Sequence, residues 1–74
     1  MYEKGTVIQF NKNHPWYGCI GIIEEAIDYA EEPEMFEYTI IVPIPEKGLA
    51  YITVLNHQNC LERIGYCAFM PEVK

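Results

Sequence analysis

The sequence contains no serine, and Asp28 is its only aspartate. A Ser-His-Asp catalytic triad is therefore impossible. A cysteine–histidine nucleophile would need a thiolate stabilised by a nearby base or helix N-terminus, and the sequence sets up neither. The Gly18-x-x-Gly21 spacing leads into a predicted strand, whereas a phosphate-binding glycine loop leads into a helix. We therefore expect no enzymatic activity and no cofactor.

Long apolar runs and a secretion signal are also missing from the sequence. No apolar run approaches the roughly 18 residues that a membrane-spanning helix needs. The first residues are not a basic stretch followed by an apolar one. The sequence therefore predicts a cytoplasmic protein that does not associate with a membrane.

Cysteines are few and odd in number, at Cys19, Cys60 and Cys67. An odd count without a secretion signal argues against a disulfide framework, so we expect reduced and mostly buried thiols. A metal site could be drawn from His57, Cys60 and Cys67, with His14 or Cys19 as a fourth ligand, but the His-x2-Cys and Cys-x6-Cys spacings fit no standard zinc motif. We expect no bound metal.

Basic residues are scarce, since five bases oppose eleven acids and the net charge is −6. Five scattered bases neutralise few phosphates, so this balance disfavours nucleic acid as a partner. Residues 24–37 hold seven of the acids and no base. This acidic segment is either a solvated loop that keeps the protein in solution or a surface that attracts a basic partner. Its carboxylates belong to Glu24, Glu25, Asp28, Glu31, Glu32, Glu34 and Glu37.

What the sequence does contain is the composition of a globular protein, with 50% apolar and 14% aromatic residues. We expect one domain over residues 1–74. Turn residues divide it into five short runs of β-branched and aromatic residues, which predict strands, and a 3₁₀ turn is predicted at 56–59. The predicted strands are 6–10, 19–25 with an extension to about 27, 37–43, 49–54 and 61–64.

Two segments allow more than one structure. Residues 24–32 also carry apolar side chains at helical spacing, but no N-cap residue precedes them. We favour a strand followed by an excursion at 28–35, with a short helical turn as the alternative. The tail 66–74 is apolar for its length, and it either adds a strand, packs on the barrel or contacts a partner.

The alternation of residues in the first strand predicts which side chains form the core. It places Val7 inward. We expect Val7 to meet Ile22, Ile41 and Ile52 in one shared interior.

Four stretches of the chain resemble the SH3-like barrel group: GTVIQF at 5–10, GCIGIIE at 18–24, AYITV at 50–54 and CLERIG at 60–65. The first two resemble the opening of a KOW-type barrel, in which a strand and a loop precede a Gly-x-x-Gly-x-Ile strand. The whole is similar to small SH3-like barrels of bacteriophages and prophages. The resemblance implies an all-β, five-stranded SH3-like barrel in a bacterial or phage-infected cell, and it implies fold more than function.

Aromatic residues just before the second strand supply the candidate binding site. In SH3-like barrels, this loop and the loop around 28–36 flank one groove. We assign His14, Trp16, Tyr17 and Tyr51 to it, because their rings can stack on a proline, a base or a methylated amine. The alternative is that Trp16 caps the barrel end and Tyr17 packs beneath the tail, with His14 a turn residue.

Two functions are compatible with these features. The first is a protein-interaction module with an apolar groove and an acidic segment that steers it to a basic partner. Here the phage resemblance implies a modulator of a host nucleic-acid-binding protein. The second is a KOW-like nucleic-acid accessory protein, whose bases Lys4, Lys12, Lys47 and Arg63 would gather on one face. A homodimer through an edge strand or the tail is compatible with both.

Overall fold

The computed structural model describes residues 2–29, 31 and 34–67, which form a single five-stranded antiparallel sheet. The strand order is β4-β3-β2-β1-β5, and a 3₁₀ turn at Asn56–Gln58 precedes the last strand. The predicted all-β fold is thus confirmed. The strands are β1 (Thr6–Phe10), β2 (Ile20–Asp28), β3 (Phe36–Ile44), β4 (Gly48–Leu55) and β5 (Leu61–Tyr66).

The ambiguous acidic stretch is a strand. β2 continues to Asp28 and pairs with β3 as far as Phe36, with one bulge between Ile23 and Glu25. The helical alternative is therefore wrong for residues 24–28. The reason is tertiary: β3 pairs with this segment from Glu25 to Asp28, whereas a helix this short is marginal in water. Residues 30, 32 and 33 lie outside the described residues.

The core lies on one face of the curled sheet, and all five strands contribute to it. Its buried members are Ile8, Phe10, Ile23, Tyr38, Ile40, Val42, Val54, Cys60 and Leu61. Partly buried side chains close the edges of this cluster, among them Trp16 and Tyr2. Collecting side chains from every strand is what lets so short a chain enclose a core.

The predicted core set is wrong for three of its four members. The pairings Val7–Ile22, Ile22–Ile41 and Ile41–Tyr51 place those residues in one row on the face opposite the core. Only Ile52, opposite the core residue Ile40, lies at the edge of the core cluster. We call the row formed by Val7, Ile22, Ile41 and Tyr51 the outer row. Ile41, at its centre, is only 1% exposed.

The last described residues extend the sheet further than predicted. β5 reaches Tyr66, which is opposite Thr6, and the Cys67 N–H donates to the Gly5 carbonyl at 2.7 Å. The predicted tail therefore begins as part of the last strand. Residues 68–74, the rest of that tail, lie outside the described residues.

The prediction of mostly buried cysteines is wrong, because Cys19 is exposed and Cys67 is half-buried. Only Cys60 is buried, and burial raises the pKa of its thiol. Among the described residues, no helix has the length and apolar character needed to cross a membrane.

Candidate binding groove

The loop between β1 and β2 is held in place by hydrogen bonds from its own polar residues. The Asn11 N–H donates to the Cys60 carbonyl at 2.9 Å. The amide nitrogens of both Asn11 and Asn13 donate to the Asn59 carbonyl at 3.0 Å. Gly18 adopts φ 90°, a left-handed conformation that favours glycine, and its N–H donates back to Phe10. The loop therefore presents its central residues in a fixed conformation.

His14 supports this loop and does not line the groove. Its ring stacks on the buried Phe10 with centroids 4.4 Å apart, and its Nδ1 accepts a hydrogen bond from the Trp16 N–H at 3.0 Å. The Tyr17 N–H donates to the His14 carbonyl at 3.1 Å. His14 is thus a turn residue that fixes the positions of both aromatic neighbours.

Trp16 and Tyr17 form one wall of an apolar groove of about 360 Å³. The end of β3 and the following turn form the opposite wall. Trp16 also packs against the core, so it is both a core residue and a groove residue, whereas Tyr17 is 70% exposed. Among the described residues, no charged side chain lines this groove. Its lining residues are Pro15, Trp16, Tyr17, Cys19, Val42, Pro43, Ile44 and Pro45.

Tyr51, the fourth predicted site residue, belongs to the outer row and not to the groove. Its ring is 47% exposed at the edge of the sheet. Partial desolvation and the nearby Glu24 carboxylate raise the pKa of its hydroxyl. The predicted four-residue site is therefore divided between two surfaces.

The acidic segment lies far from the groove. The loop at 11–19 precedes β2, whereas the loop around 28–36, of which residues 30, 32 and 33 lie outside the described residues, begins at Asp28, where this nine-residue strand ends. Cys19 and Asp28 therefore lie at opposite ends of β2. That separation is roughly 30 Å at 3.3 Å per residue. The expectation that these two loops flank one groove is wrong. The described acids instead form a separate arm at the end of β2 and the start of β3, with Glu31 and Glu34 between the two strands.

A second depression, of about 610 Å³, lies at the base of this acidic arm. Glu24, Glu25 and Ala26 line it together with Glu3 and Lys4. It is larger than the groove, but four of its five lining residues are charged. Binding sites for apolar segments are concave and mostly apolar, so the smaller groove is the better candidate.

The four basic residues that the structure describes are spread over the molecule. Lys4 and Lys12 flank opposite ends of β1, roughly 17 Å apart at strand spacing. Lys47 lies in the β3–β4 turn, and Arg63 lies in β5, opposite Ile8 of β1. This placement does not provide the continuous basic stripe that phosphate binding uses.

Within residues 2–29, 31 and 34–67, no three His, Cys, Asp or Glu side chains are grouped so as to hold a metal ion. Comparison with protein-family models, with curated proteins and with solved structures finds no match to this chain. The fold therefore defines the class: a small all-β protein with one five-stranded antiparallel sheet and an apolar groove at one end.

Proposed function

We propose that the chain is a protein-interaction module that binds an extended, proline-containing segment of a partner in the Trp16–Tyr17 groove. The observation that carries this proposal is the lining of the groove, which combines two aromatic rings, three prolines and no charge. Aromatic-lined grooves bind polyproline II segments because those segments are already extended and lose little entropy on binding.

The exposure of Tyr17 indicates which side chain of the groove a partner would contact most. Tyr17 is 70% exposed although its neighbours are fixed by the loop. A rigid backbone carrying an exposed ring loses little conformational freedom when a partner covers that ring. Tyr17 is therefore the side chain that a partner would bury most, with Trp16 as the floor beside it.

The acidic arm contributes to the same function as a second contact. At physiological ionic strength charges are screened over about 8 Å, so the arm cannot attract a charge held in the groove roughly 30 Å away. An interface of standard size, about 800 Å² per partner, can reach both places. The partner is therefore a protein with a basic surface beside its proline-containing segment, in keeping with a phage-type modulator of a host protein.

We expect Tyr17→Ala to abolish measurable peptide binding without changing stability, because the ring is exposed and packs on little else. The measurement is a titration of the ¹⁵N-labelled protein with a lysine-flanked proline-rich decapeptide. Tyr66→Ala is the matched control, since Tyr66 is 58% exposed on β5, away from the groove. A peptide with alanine at every proline should not bind. Equal binding of both peptides, or shifts confined to residues outside the groove, would contradict the proposal.

Removing charge from the acidic arm should slow association with a basic partner and leave dissociation nearly unchanged. Neutralising Glu31, Glu32 and Glu34 to glutamine lowers the attractive potential, which acts mainly on the association rate. Stopped-flow mixing with a basic protein carrying the proline segment measures both rates at several salt concentrations. The matched control compares the single variants Glu34→Gln and Glu46→Gln, because each removes one acid and Glu46 lies in the β3–β4 turn, outside the arm. Identical rates for both variants would exclude steering by the arm.

A further inference from the structure

Among the residues that the structure describes, strand β4 is the unprotected edge of the sheet. It lies at the end of the strand order and pairs with β3 through all eight residues without a register shift. Its sequence, GLAYITVL, contains no charge and no proline. Natural sheets block such edges with charges, prolines, bulges or short strands, because free N–H and C=O groups invite another strand.

The opposite edge is protected in the usual ways. β5 is shorter, carries Glu62 and Arg63, and has a bulge against β1 next to Val7. The contrast between the two edges of the described sheet indicates that the backbone groups of β4 are available to pair with another strand.

We propose that β4 pairs antiparallel with the β4 strand of a second copy of this chain, which joins the two sheets into one across a two-fold axis. Directly opposed residues in an antiparallel pair point to the same face. The outer-face side chains of β4, with Tyr51 at their centre, would therefore meet their counterparts. The outer row would continue into the second copy and cover the ring edge that is exposed in the monomer.

Charge complementarity favours a second copy over an unrelated strand. Lys47 immediately precedes β4. Glu34 is held at the other end of the strand, because the Asn56 side-chain amide donates to the Glu34 carbonyl at 2.7 Å and its oxygen accepts from the Phe36 N–H at 2.9 Å. An antiparallel pair brings Lys47 of each copy beside Glu34 of the other. Glu46 shares the turn but lies one residue further from the strand.

The same arrangement separates the like charges of two chains that each carry −6. The acidic arms extend from the Leu55 end of β4, opposite which Glu37 lies. Antiparallel pairing directs the two arms to opposite ends of the joined sheet. Because one strand pair buries little area, we expect a weak dimer, populated at about 100 µM and above.

Thr53→Lys tests the edge. Thr53 is exposed in β4 and opposite Thr39, so lysine fits the monomer, whereas in the dimer each lysine would face Leu49 of the other copy and its ammonium would lose part of its hydration. We expect the dimer dissociation constant, measured by sedimentation at 150 mM salt, to rise at least about tenfold. Ile64→Lys on β5 adds the same charge to the other edge and should change nothing. Tyr17→Ala should also leave the dimer intact, which separates this inference from the groove.

A charge exchange tests the orientation. Lys47→Glu alone and Glu34→Lys alone each place like charges together at both ends of the pair, so each should weaken self-association by about threefold or more. An equimolar mixture of the two variants forms opposite-charge contacts at both ends and should associate as the unchanged protein does.

Three results would overturn the proposal. The first is a monomer at every concentration up to about 1 mM, well above the range of weak specific dimers. The second is a dimer that survives Thr53→Lys but is lost on deletion of residues 68–74. The third is a monomer whose β4 amide signals shift when the proline-rich peptide is added, which would make a peptide the occupant of this edge.

Discussion

Replacing Ile8 by alanine is expected to unfold most of the protein, whereas the same replacement of Ile22 is expected to be tolerated. Ile8 is fully buried in the core, and Ile22 is a half-buried member of the outer row. Truncating a buried isoleucine to alanine lowers the free energy of unfolding by about 2–5 kcal/mol. A chain of this size has only about 3–5 kcal/mol of net stability, so the first substitution removes most of it.

Urea denaturation followed by tryptophan fluorescence measures both variants. For Ile22→Ala we expect a loss of about 1 kcal/mol, because the residue is already partly solvated and leaves no enclosed cavity. The two residues have the same side chain and lie on adjacent paired strands, so the comparison isolates the face of the sheet. Equal losses would mean that the outer row is packed as tightly as the core.

Gly21→Ala is expected to destabilise the protein by about 2–3 kcal/mol through overpacking. A Cβ at this position would lie 2.5 Å from Ile40 Cγ2 and 3.0 Å from the Ile41 carbonyl oxygen. Ile40 is fully buried and cannot move aside freely, and the carbonyl belongs to the backbone of β3. Glycine at 21 therefore lets β2 and β3 approach closely.

Gly65→Ala is the control for this substitution. Its added Cβ would meet only Val7 Cβ, at an ordinary contact distance of 3.9 Å. Alanine at such a site restricts the unfolded chain and is expected to be neutral or stabilising by about 0.4–1 kcal/mol. Thermal melting of both variants measures the difference. If Gly21→Ala has the same melting temperature as the unchanged protein, β2 and β3 move apart in solution at no measurable cost in stability.

The strands and their order along the chain could be predicted because the local signals agree. Pro45, Lys47 and Gly48 mark the β3–β4 turn, and the strand between that turn and Asn56 is uninterrupted β-branched and aromatic sequence. The observed bounds of β1 are the predicted ones, and the ends of the other strands differ from prediction by at most two residues, mostly because strand pairing extends the runs. The close approach at Gly21 was also predictable, since glycine within a strand marks such contacts.

The sequence could not predict which face of each strand points into the core. β1 carries apolar residues on both faces, and Ile40, Ile41 and Val42 are consecutive in β3, so alternation does not say which face is inside. The sheet curls towards the face that bears Phe10 and Ile8, and this direction depends on residues from all five strands.

Only two of the four residues predicted for the candidate site, Trp16 and Tyr17, line the groove. The sequence could not exclude the others, because the groove depends on contacts between distant residues. Trp16 and Tyr17 could be identified as aromatic residues of a loop, but the opposite wall of their groove comes from β3, which is distant in sequence. The only local signal for that wall is the Pro43-x-Pro45 pattern at the end of a strand. Tyr51 was assigned wrongly to the groove because its register against Ile41 places it in the outer row.

The amino-acid sequence by itself determined the strand content, the lack of triad chemistry and the concentration of acid in one segment, because these follow from residue types and their local order. Tertiary structure alone decided which face is the core, that the acidic arm and the groove lie at opposite ends of β2, and that β4 is the open edge. Those properties depend on register and on curvature of the sheet, and both arise from contacts between residues far apart in the chain.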